Sequence, residues 1–209
     1  MWTVSTRKPP ARKPAGRYHH GSLRRALVDE AVRTIQRDGV EALTLRGAGA
    51  ALGVSRTALY RHFADKDALL AVVAREGFVA LKAALDRARA SASHPRDQLT
   101  AMGSAYVRFA IDNRAHYRVM FGSFLERCRD EPDLVADASA AFQALVEMIR
   151  DLQRVKLARS GDAVQISQFV WATVHGIAML AIDGQLGPDR QAGIALYERS
   201  APLIRASLQ

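Results

Sequence analysis

The stretch from Leu43 to Leu70, LTLRGAGAALGVSRTALYRHFADKDALL, decides how this chain folds. Its apolar residues are spaced as two short helices that share a small core, made by Leu45, Ala48, Leu52, Val54 and Leu59. Gly53 permits the backbone to reverse between the helices, and Gly49 lies where the second helix must approach closely. Two short helices joined by a tight turn are typical of a helix-turn-helix, whose second helix can enter the major groove of DNA.

Three polar residues in this stretch are predicted to begin helices. Thr44, Ser55 and Asp65 each stand just before an apolar-periodic segment and carry the oxygen that caps a helix N-terminus. They predict helices over about 44–52, 55–62 and 65–90. The exposed residues of the second of these helices are then Arg56, Thr57, Tyr60 and Arg61. These are hydrogen-bond donors with a net positive charge, as a surface that faces DNA requires.

A family resemblance becomes specific in the same stretch. Val54–Leu70, VSRTALYRHFADKDALL, resembles the signature of the TetR family, whose DNA-binding domain typically reads GVS-x-x-x-LY-x-HF-x-x-K-x-x-LL. Tyr18–Arg24, YHHGSLR, resembles the start of the first helix in many members. The similarity covers about residues 18–72 without a gap. Gly47 departs from the family pattern, since helix-favouring residues are usual there and glycine costs a helix about 1 kcal/mol relative to alanine.

The resemblance implies DNA-binding roles for eight residues: Thr44, Arg46, Ser55, Arg56, Thr57, Tyr60, His62 and Lys66. Thr44 and Arg46 match positions at which family members touch phosphate, and the residues from Ser55 to Tyr60 belong to the recognition helix. Lys66 opens the next helix, so its ammonium and the helix N-terminus can hold one phosphate together. Phe63 is expected to pack inward and join the two domains.

The charge of the chain is concentrated near its N-terminus. Residues 1–20 contain five basic and no acidic residues, and residues 21–63 contain seven arginines and four acidic residues, out of a formal net charge of +9. The rest of the chain is nearly neutral. Such asymmetry predicts a polyanionic partner, either nucleic acid or anionic lipid. Residues 1–20 are also rich in proline and lack apolar periodicity, so we expect a disordered basic arm there.

Apolar periodicity predicts an all-α chain of about nine helices. The first is capped by Ser22 and stops at Gly39. Beyond residue 90, helices are expected at roughly 96–113, 115–127, 132–159, 162–184 and 189–207. We therefore expect three parts: a basic disordered arm (1–20), a helix-turn-helix DNA-binding domain of three helices (21–66), and a helical effector-binding and dimerisation domain (67–209).

The C-terminal half contains one local motif, Trp171-Ala-Thr-Val-His175-Gly176. It resembles the Trp-x-x-x-His-Gly motif of one TetR C-terminal subclass, and its Trp and His share a helix face. Two interpretations stay open: a ligand pocket, or a satisfied core histidine beside a glycine that permits close helix contact. The candidate effector-pocket residues are Phe109, Tyr117, Phe121, Trp171 and His175. The alternative is that this aromatic cluster is filled core.

The resemblance implies a homodimer that binds a pseudo-palindromic operator in double-stranded DNA, most often to repress, and that answers to an unknown small-molecule effector. The last two long helices, about 162–184 and 189–207, are expected to pair with their symmetry mates. Residues 163–182 carry no charge, but Gln165, Ser167 and Gln168 make them too polar for a bilayer core, so we expect no membrane span.

Signatures of enzymes and metal sites are absent from the sequence. It has no Gly-rich phosphate loop, no GxSxG, and no metal-ligand spacing among its histidines, so neither catalysis nor a cofactor is expected. The single cysteine, Cys128, suits a cytoplasmic protein. Three rival functions stay in view: a non-specific architectural DNA-binding protein, an enzyme that uses a C-terminal cavity, and a membrane-surface role for the basic arm.

Overall fold

The computed structural model describes residues 20–128 and 131–209, and within them the chain is all helical. These ranges contain nine α-helices, one 3-10 helix and no strand, which confirms the expected fold class. The helices are α1 (His20–Asp38), α2 (Leu45–Ala51), α3 (Arg56–Tyr60), α4 (Lys66–Ala90), α5 (Pro95–Asp112), α6 (Arg114–Met120), the 3-10 helix (Ser123–Cys128), α7 (Pro132–Arg154), α8 (Ala163–Ile182) and α9 (Ala192–Ser207). Apart from His20, the predicted basic arm lies outside the described residues.

Helix α1 follows the predicted apolar stripe, since Leu23, Leu27, Ala31 and Ile35 are all buried. It ends where expected, at Gly39, which has a φ of +90°. The prediction that Ser22 caps this helix is wrong. The helix already includes His20 and Gly21, so Ser22 lies inside its first turn.

Helix α4 is the longest, with 25 residues, and it connects the two ends of the molecule. It packs against α1 on the N-terminal side and against α5, α6 and α7 further along. Leu69, Leu70, Val73, Phe78 and Leu81 are buried along its length. The N-terminal three helices and the C-terminal helices therefore share one continuous apolar core.

Two helix boundaries differ from the sequence expectation. The helix expected at 115–127 is divided: α6 ends at Met120, and a 3-10 helix follows Gly122. The helix expected to reach 159 ends at Arg154, because Lys156 adopts a φ of +57°. There the Leu157 and Lys156 N–H groups donate to the Leu152 and Gln153 carbonyls, at 2.8 and 3.0 Å. This is a Schellman motif, which usually has glycine at the position of Lys156.

Helices α8 and α9 leave large apolar side chains exposed. Phe169 and Leu180 on α8 and Leu203 on α9 are 53, 43 and 72% exposed. Among the described residues, α8 is the one helix whose length and apolar composition would allow it to cross a membrane, a criterion that core helices of water-soluble proteins also meet. Its other face is buried against α5, α7 and α9.

Candidate nucleic-acid interface and a buried cavity

The turn between α2 and α3 is held by hydrogen bonds at both helix ends. Thr44 Oγ1 accepts from the Gly47 N–H at 3.0 Å, and Ser55 Oγ accepts from the Ala58 N–H at 3.3 Å. Both residues are thus the helix N-caps that the sequence predicted. Gly53, with a φ of +65°, ends α2: its own N–H and that of Val54 each donate 3.0 Å bonds back into the helix.

The core of this unit is small and tightly packed. Leu45, Ala48 and Leu59 are buried, and a Cβ added at Gly49 would lie 3.1 Å from Leu59 Cδ2. The predicted close approach at Gly49 is therefore confirmed. Gly47, the departure from the family pattern, has a local reason of its own, because a Cβ there would lie 2.8 Å from the capping Thr44 Oγ1.

The outer face of this unit carries most of the predicted DNA-binding residues. Six of the eight are exposed: Thr44, Arg46, Ser55, Arg56, Thr57 and Tyr60. They lie at the start of α2 and on α3, which are adjacent. None of them is acidic, so the face offers hydrogen-bond donors and positive charge to a polyanion. Arg61, at the end of α3, is exposed as well.

The other two predicted residues are half-buried. His62 follows α3 directly, and its N–H donates to the Leu59 carbonyl at 3.0 Å. Lys66 begins α4, and its Nζ donates to the Val40 carbonyl at 2.8 Å, which links the loop after α1 to the start of α4. The Lys66 ammonium therefore already has a structural role. One of its three N–H donors makes the bond to Val40, which leaves two for other acceptors.

Phe63 lies in the short segment between α3 and α4. It is buried, and the Arg24 guanidinium of α1 lies 5.3 Å from the centre of its ring. Two residues later, Asp65 Oδ1 accepts from the Ala68 N–H at 2.8 Å and so caps α4 as predicted. α3 and α4 are therefore joined by a short, well-anchored connection.

A cavity of about 290 Å³ lies between α4, α5, α7, α8 and α9. Its wall also includes residues around the end of α6 and in the 3-10 helix, among them Phe121 and Leu125. The lining side chains are almost all apolar, and none of them is charged. Ligand sites of small molecules start at about this size and have this character.

The structure places the five predicted pocket residues differently from one another. Phe121 and Trp171 belong to the cavity wall. Tyr117 and His175 do not line it but contact those that do: the rings of Tyr117 and Phe121 are 4.8 Å apart, and those of His175 and Phe121 are 4.7 Å apart. Phe109 is buried on α5 and is not in the wall.

Sequence reasoning missed most of the wall. Phe78, Leu81 and Leu85 on α4 line the cavity, as do Leu99 and Met102 on α5. The spacing of Phe78, Leu81 and Leu85 in the sequence does indicate that they share one face of α4. Nothing in that spacing distinguishes a cavity wall from filled core.

A hydrogen-bonded network stands behind one side of the wall. The Tyr117 hydroxyl lies 2.9 Å from the Tyr106 hydroxyl and 2.7 Å from His175 Nδ1, and the Tyr106 hydroxyl lies 3.2 Å from the same nitrogen. Trp171 Nε1 donates to the Tyr106 hydroxyl at 3.1 Å. The Trp-x-x-x-His motif therefore supplies both ends of one network, and Tyr106 is a member that was not among the five predicted pocket residues.

Burial sets the protonation of this network. Desolvation raises the pKa of Tyr106 to about 12 and raises the pKa of Tyr117 as well. Desolvation also lowers the pKa of His175, because it disfavours the charged imidazolium. All three groups are therefore neutral at pH 7, and His175 Nδ1 donates to or accepts from the tyrosine hydroxyls according to which ring nitrogen carries the proton. Elsewhere in the described residues no cluster of three or more His, Cys, Asp or Glu side chains could hold a metal ion.

Two protein-family descriptions match the sequence in successive parts. Residues 27–73 match bacterial regulatory proteins of the tetR family. Residues 99–201 match the tetracyclin repressor-like C-terminal domain. The first match spans α2, α3 and the start of α4, and the second contains most of the cavity wall.

Individual proteins resemble the chain over most of its length. A protein of unknown function from Rhodococcus sp. RHA1 is 33% identical, with a TM-score of 0.78 over 93% of this chain and 99% of that one. The HTH-type transcriptional regulator Rv1816 of Mycobacterium tuberculosis is 25% identical over 191 residues, which cover 78% of this chain and 82% of that protein. The TetR family transcriptional regulator PfmR from Thermus thermophilus shares the fold, with a TM-score of 0.71 at 21% identity over 88% of this chain and 98% of that one.

Proposed function

This chain belongs to the TetR family of bacterial regulatory proteins, and we propose that it represses transcription until a small molecule releases it from its operator. Members of this family are DNA-binding transcriptional regulators. The observation that carries the proposal is the outer face of α3, where Arg56, Thr57 and Tyr60 are exposed on a capped, well-packed helix-turn-helix. Donors on such a helix can reach base edges in the major groove.

The DNA contacts divide into two kinds in this proposal. Arg56, Thr57 and Tyr60, with the N-cap Ser55, read base edges or the adjoining backbone. Thr44, Arg46, His62 and Lys66 hold phosphates and set the orientation of α3. For Lys66 this requires a phosphate to share the ammonium with the Val40 carbonyl, and the three donors of an ammonium permit that.

The regulator acts as a homodimer, paired through α8 and α9. Supporting this are the apolar side chains that these helices expose in the single chain, Phe169, Leu180 and Leu203. A two-fold axis through that face gives two copies of α3 that read a pseudo-palindromic operator. In this organisation residues 1–20, of which His20 already belongs to α1, contribute basic charge, residues 21–66 bind DNA, and residues 67–209 bind the effector and dimerise.

The effector occupies the cavity and is mainly apolar. Phe121 and Trp171 contact it directly, while Tyr117 and His175 act from behind the wall, and Phe109 supports α5. Binding favours a conformation in which the two recognition helices no longer match successive major grooves. By linkage, an effector that weakens operator binding tenfold is itself bound tenfold more weakly on the operator, a coupling of about 1.4 kcal/mol.

Other functions find less support in the molecule. A non-specific architectural protein does not need a recognition helix with an exposed donor set on α3. An enzyme in the cavity would need a reactive group in its wall, whereas the wall residues are apolar or are tyrosine and tryptophan. We propose a cytoplasmic protein without catalytic activity or a membrane role, since the DNA it regulates is in the cytoplasm.

Selection of binding sites from a random duplex pool tests the proposal. The full chain is expected to enrich an inverted repeat whose half-sites are about one helical turn, 10–10.5 base pairs, or a multiple of it apart. The matched control is the Arg56→Ala, Thr57→Ala double variant, which keeps the Ser55 cap and is expected to enrich a different sequence or none. Enrichment of no motif by the parent chain would refute specific regulation.

A further inference from the structure

Among the described residues that line the cavity, three have nitrogen or oxygen atoms in their side chains: Tyr106, Trp171 and Tyr197. The Tyr197 hydroxyl donates to the Thr100 carbonyl at 2.9 Å, and Trp171 Nε1 donates to the Tyr106 hydroxyl at 3.1 Å. None of the described residues that line the wall has a cationic or anionic side chain. A charged ligand group would therefore lose its hydration without gaining an ion partner, which is costly in an apolar site.

The network behind the wall has three donors and three possible acceptors. Its donors are the Trp171 N–H and the two tyrosine hydroxyls, and its acceptors are those two hydroxyl oxygens and His175 Nδ1. The Tyr117 hydroxyl and Trp171 Nε1 both donate to the Tyr106 oxygen, at 2.9 and 3.1 Å. His175 Nδ1 lies within hydrogen-bond distance of the Tyr117 and Tyr106 hydroxyls, at 2.7 and 3.2 Å.

The Tyr106 hydroxyl can donate to a ligand while every other donor of the network keeps an acceptor. If the Tyr106 O–H turns to an acceptor in the cavity, the Tyr117 hydroxyl and Trp171 Nε1 still donate to the Tyr106 oxygen. No buried donor is then left unsatisfied, which is the usual penalty when such a network is opened. Tyr106 is also the one member of the network, besides Trp171, that belongs to the wall.

We propose that the cavity binds an uncharged molecule with an apolar body and one hydrogen-bond acceptor, such as a ketone or ester carbonyl, and that the Tyr106 hydroxyl donates to it. This inference rests on the proposed effector site and names the chemistry of its ligand. The cavity holds about ten water-sized volumes of about 30 Å³ each, so the body of the ligand inside it has roughly ten non-hydrogen atoms.

Three probes that share a phenyl and an ethyl group distinguish a ligand with a neutral acceptor from a purely apolar ligand and from an anion. Propiophenone carries a carbonyl, sec-butylbenzene has a methyl group in place of its oxygen, and 2-phenylbutyrate has a carboxylate there. Their affinities for the full chain are measured by calorimetry at pH 7. We expect propiophenone and sec-butylbenzene to bind, and 2-phenylbutyrate to bind at least about tenfold more weakly than propiophenone because its charge has no partner in the wall.

The decisive comparison uses two matched variants, each of which removes one buried phenol hydroxyl from the same wall. Tyr106→Phe is expected to weaken propiophenone about fivefold, the size of one net hydrogen bond, while leaving sec-butylbenzene within about twofold. Tyr197→Phe is expected to change both affinities alike. An equal loss for both probes in Tyr106→Phe, or a carbonyl-selective loss in Tyr197→Phe instead, would overturn the proposal.

A measurement on the unaltered chain keeps the test independent of how the variants fold. The infrared stretch of carbonyl-labelled propiophenone is expected at lower frequency in the complex than in a hydrocarbon solvent, because its oxygen accepts a hydrogen bond. A frequency equal to the hydrocarbon value, tight binding of 2-phenylbutyrate, or no binding of any probe would each refute the assignment. No DNA is present in these measurements. A ketone that binds through Tyr106 without weakening operator binding would refute effector release and leave this inference standing.

Discussion

Arg127 binds both carboxylate oxygens of Asp67: its Nε lies 2.8 Å from Oδ2 and its Nη2 lies 2.9 Å from Oδ1. Asp67 is in the first turn of α4, which follows α3, and Arg127 is in the 3-10 helix. Leu125, two residues before Arg127, belongs to the cavity wall. The pair therefore connects the 3-10 helix, which contributes to the cavity wall, to the start of α4.

The Arg127→Gln substitution is expected to raise the pKa of Asp67. In the parent chain the hydrogen bonds from Arg127 hold that pKa below its ordinary value, although burial opposes them. A depressed carboxyl pKa contributes stability above the unfolded pKa, and that stability is lost as the pH falls through the folded value. Carboxyl-detected NMR titration measures the change. The control is Arg118→Gln, which breaks an ion pair with Asp183 elsewhere and is expected to leave Asp67 unchanged.

The Gly103→Ala substitution is expected to destabilise the chain by about 1–3 kcal/mol, the usual range for overpacking a core. Gly103 faces Tyr197, and an added Cβ would lie 2.1 Å from the Tyr197 hydroxyl oxygen. Tyr197 is buried and bonded to the Thr100 carbonyl, so its ring cannot move without losing that bond. Urea denaturation measures the loss. Ser104→Ala, at the next position of the same helix, is the control and is expected to stay within about 0.5 kcal/mol.

Acid is expected to weaken the fold through His175. Burial lowers its pKa, so between that value and about 6.5 the unfolded chain binds more protons than the folded chain. The free energy of unfolding therefore falls as the pH drops below about 6.5, and this contribution levels off below the folded pKa. The groups that contact His175 are Tyr106, Tyr117, Phe121 and Trp171, and none of them is charged at these pH values.

His175→Asn is expected to flatten this pH dependence, because the amide oxygen can accept from Tyr117 but does not titrate. Urea denaturation at pH 7.5, 6.5 and 5.5, at one protein concentration, gives the slopes. His116, whose pKa burial also lowers, accounts for part of the slope that remains. His94→Asn is the control, since His94 is exposed at the N-cap of α5 and asparagine caps helices well. An unchanged slope in His175→Asn would contradict the assigned titration.

The proposed dimer is expected to dissociate when a charge is placed on the exposed face of α8 and α9. Phe169→Glu and Leu203→Glu put an ionised carboxylate where the proposed interface excludes water. Light scattering is expected to change from twice the chain mass of 22.9 kDa to that mass itself. Val79→Glu is the control, because Val79 is 55% exposed on α4, away from both helices. A parent chain that is monomeric at micromolar concentration would refute the dimer.

The sequence predicted those parts of the fold that depend on local chemistry. Thr44, Ser55 and Asp65 cap helices because a side-chain oxygen beside free N–H groups acts within one turn. The end of α7 could not be predicted, since Lys156 takes the left-handed conformation that glycine usually supplies. The cavity was only partly predictable. Whether Phe78 and Leu81 face a partner or an empty space depends on where the other helices around the cavity lie, and periodicity gives only the face of the helix.

The motif that contains Trp171 and His175 also shows how far a local sequence pattern predicts the site. Its spacing indicated a shared helix face but left a pocket and a structural role open. The structure combines the two, since Trp171 is in the wall and His175 accepts behind it, with Tyr106 and Tyr117 between them. These tyrosines come from α5 and α6, so their meeting with α8 is a tertiary contact that no local pattern records.

Competition binding measures whether α3 reads a DNA sequence. The full chain is titrated at physiological salt against a duplex of its selected site and a random duplex of equal length. We expect the selected site to bind at least about 10³-fold more tightly. Lys66→Ala should weaken both duplexes by a similar factor, whereas Arg56→Ala should weaken the selected site and narrow the difference. Equal affinity of the parent chain for the two duplexes would contradict the claim.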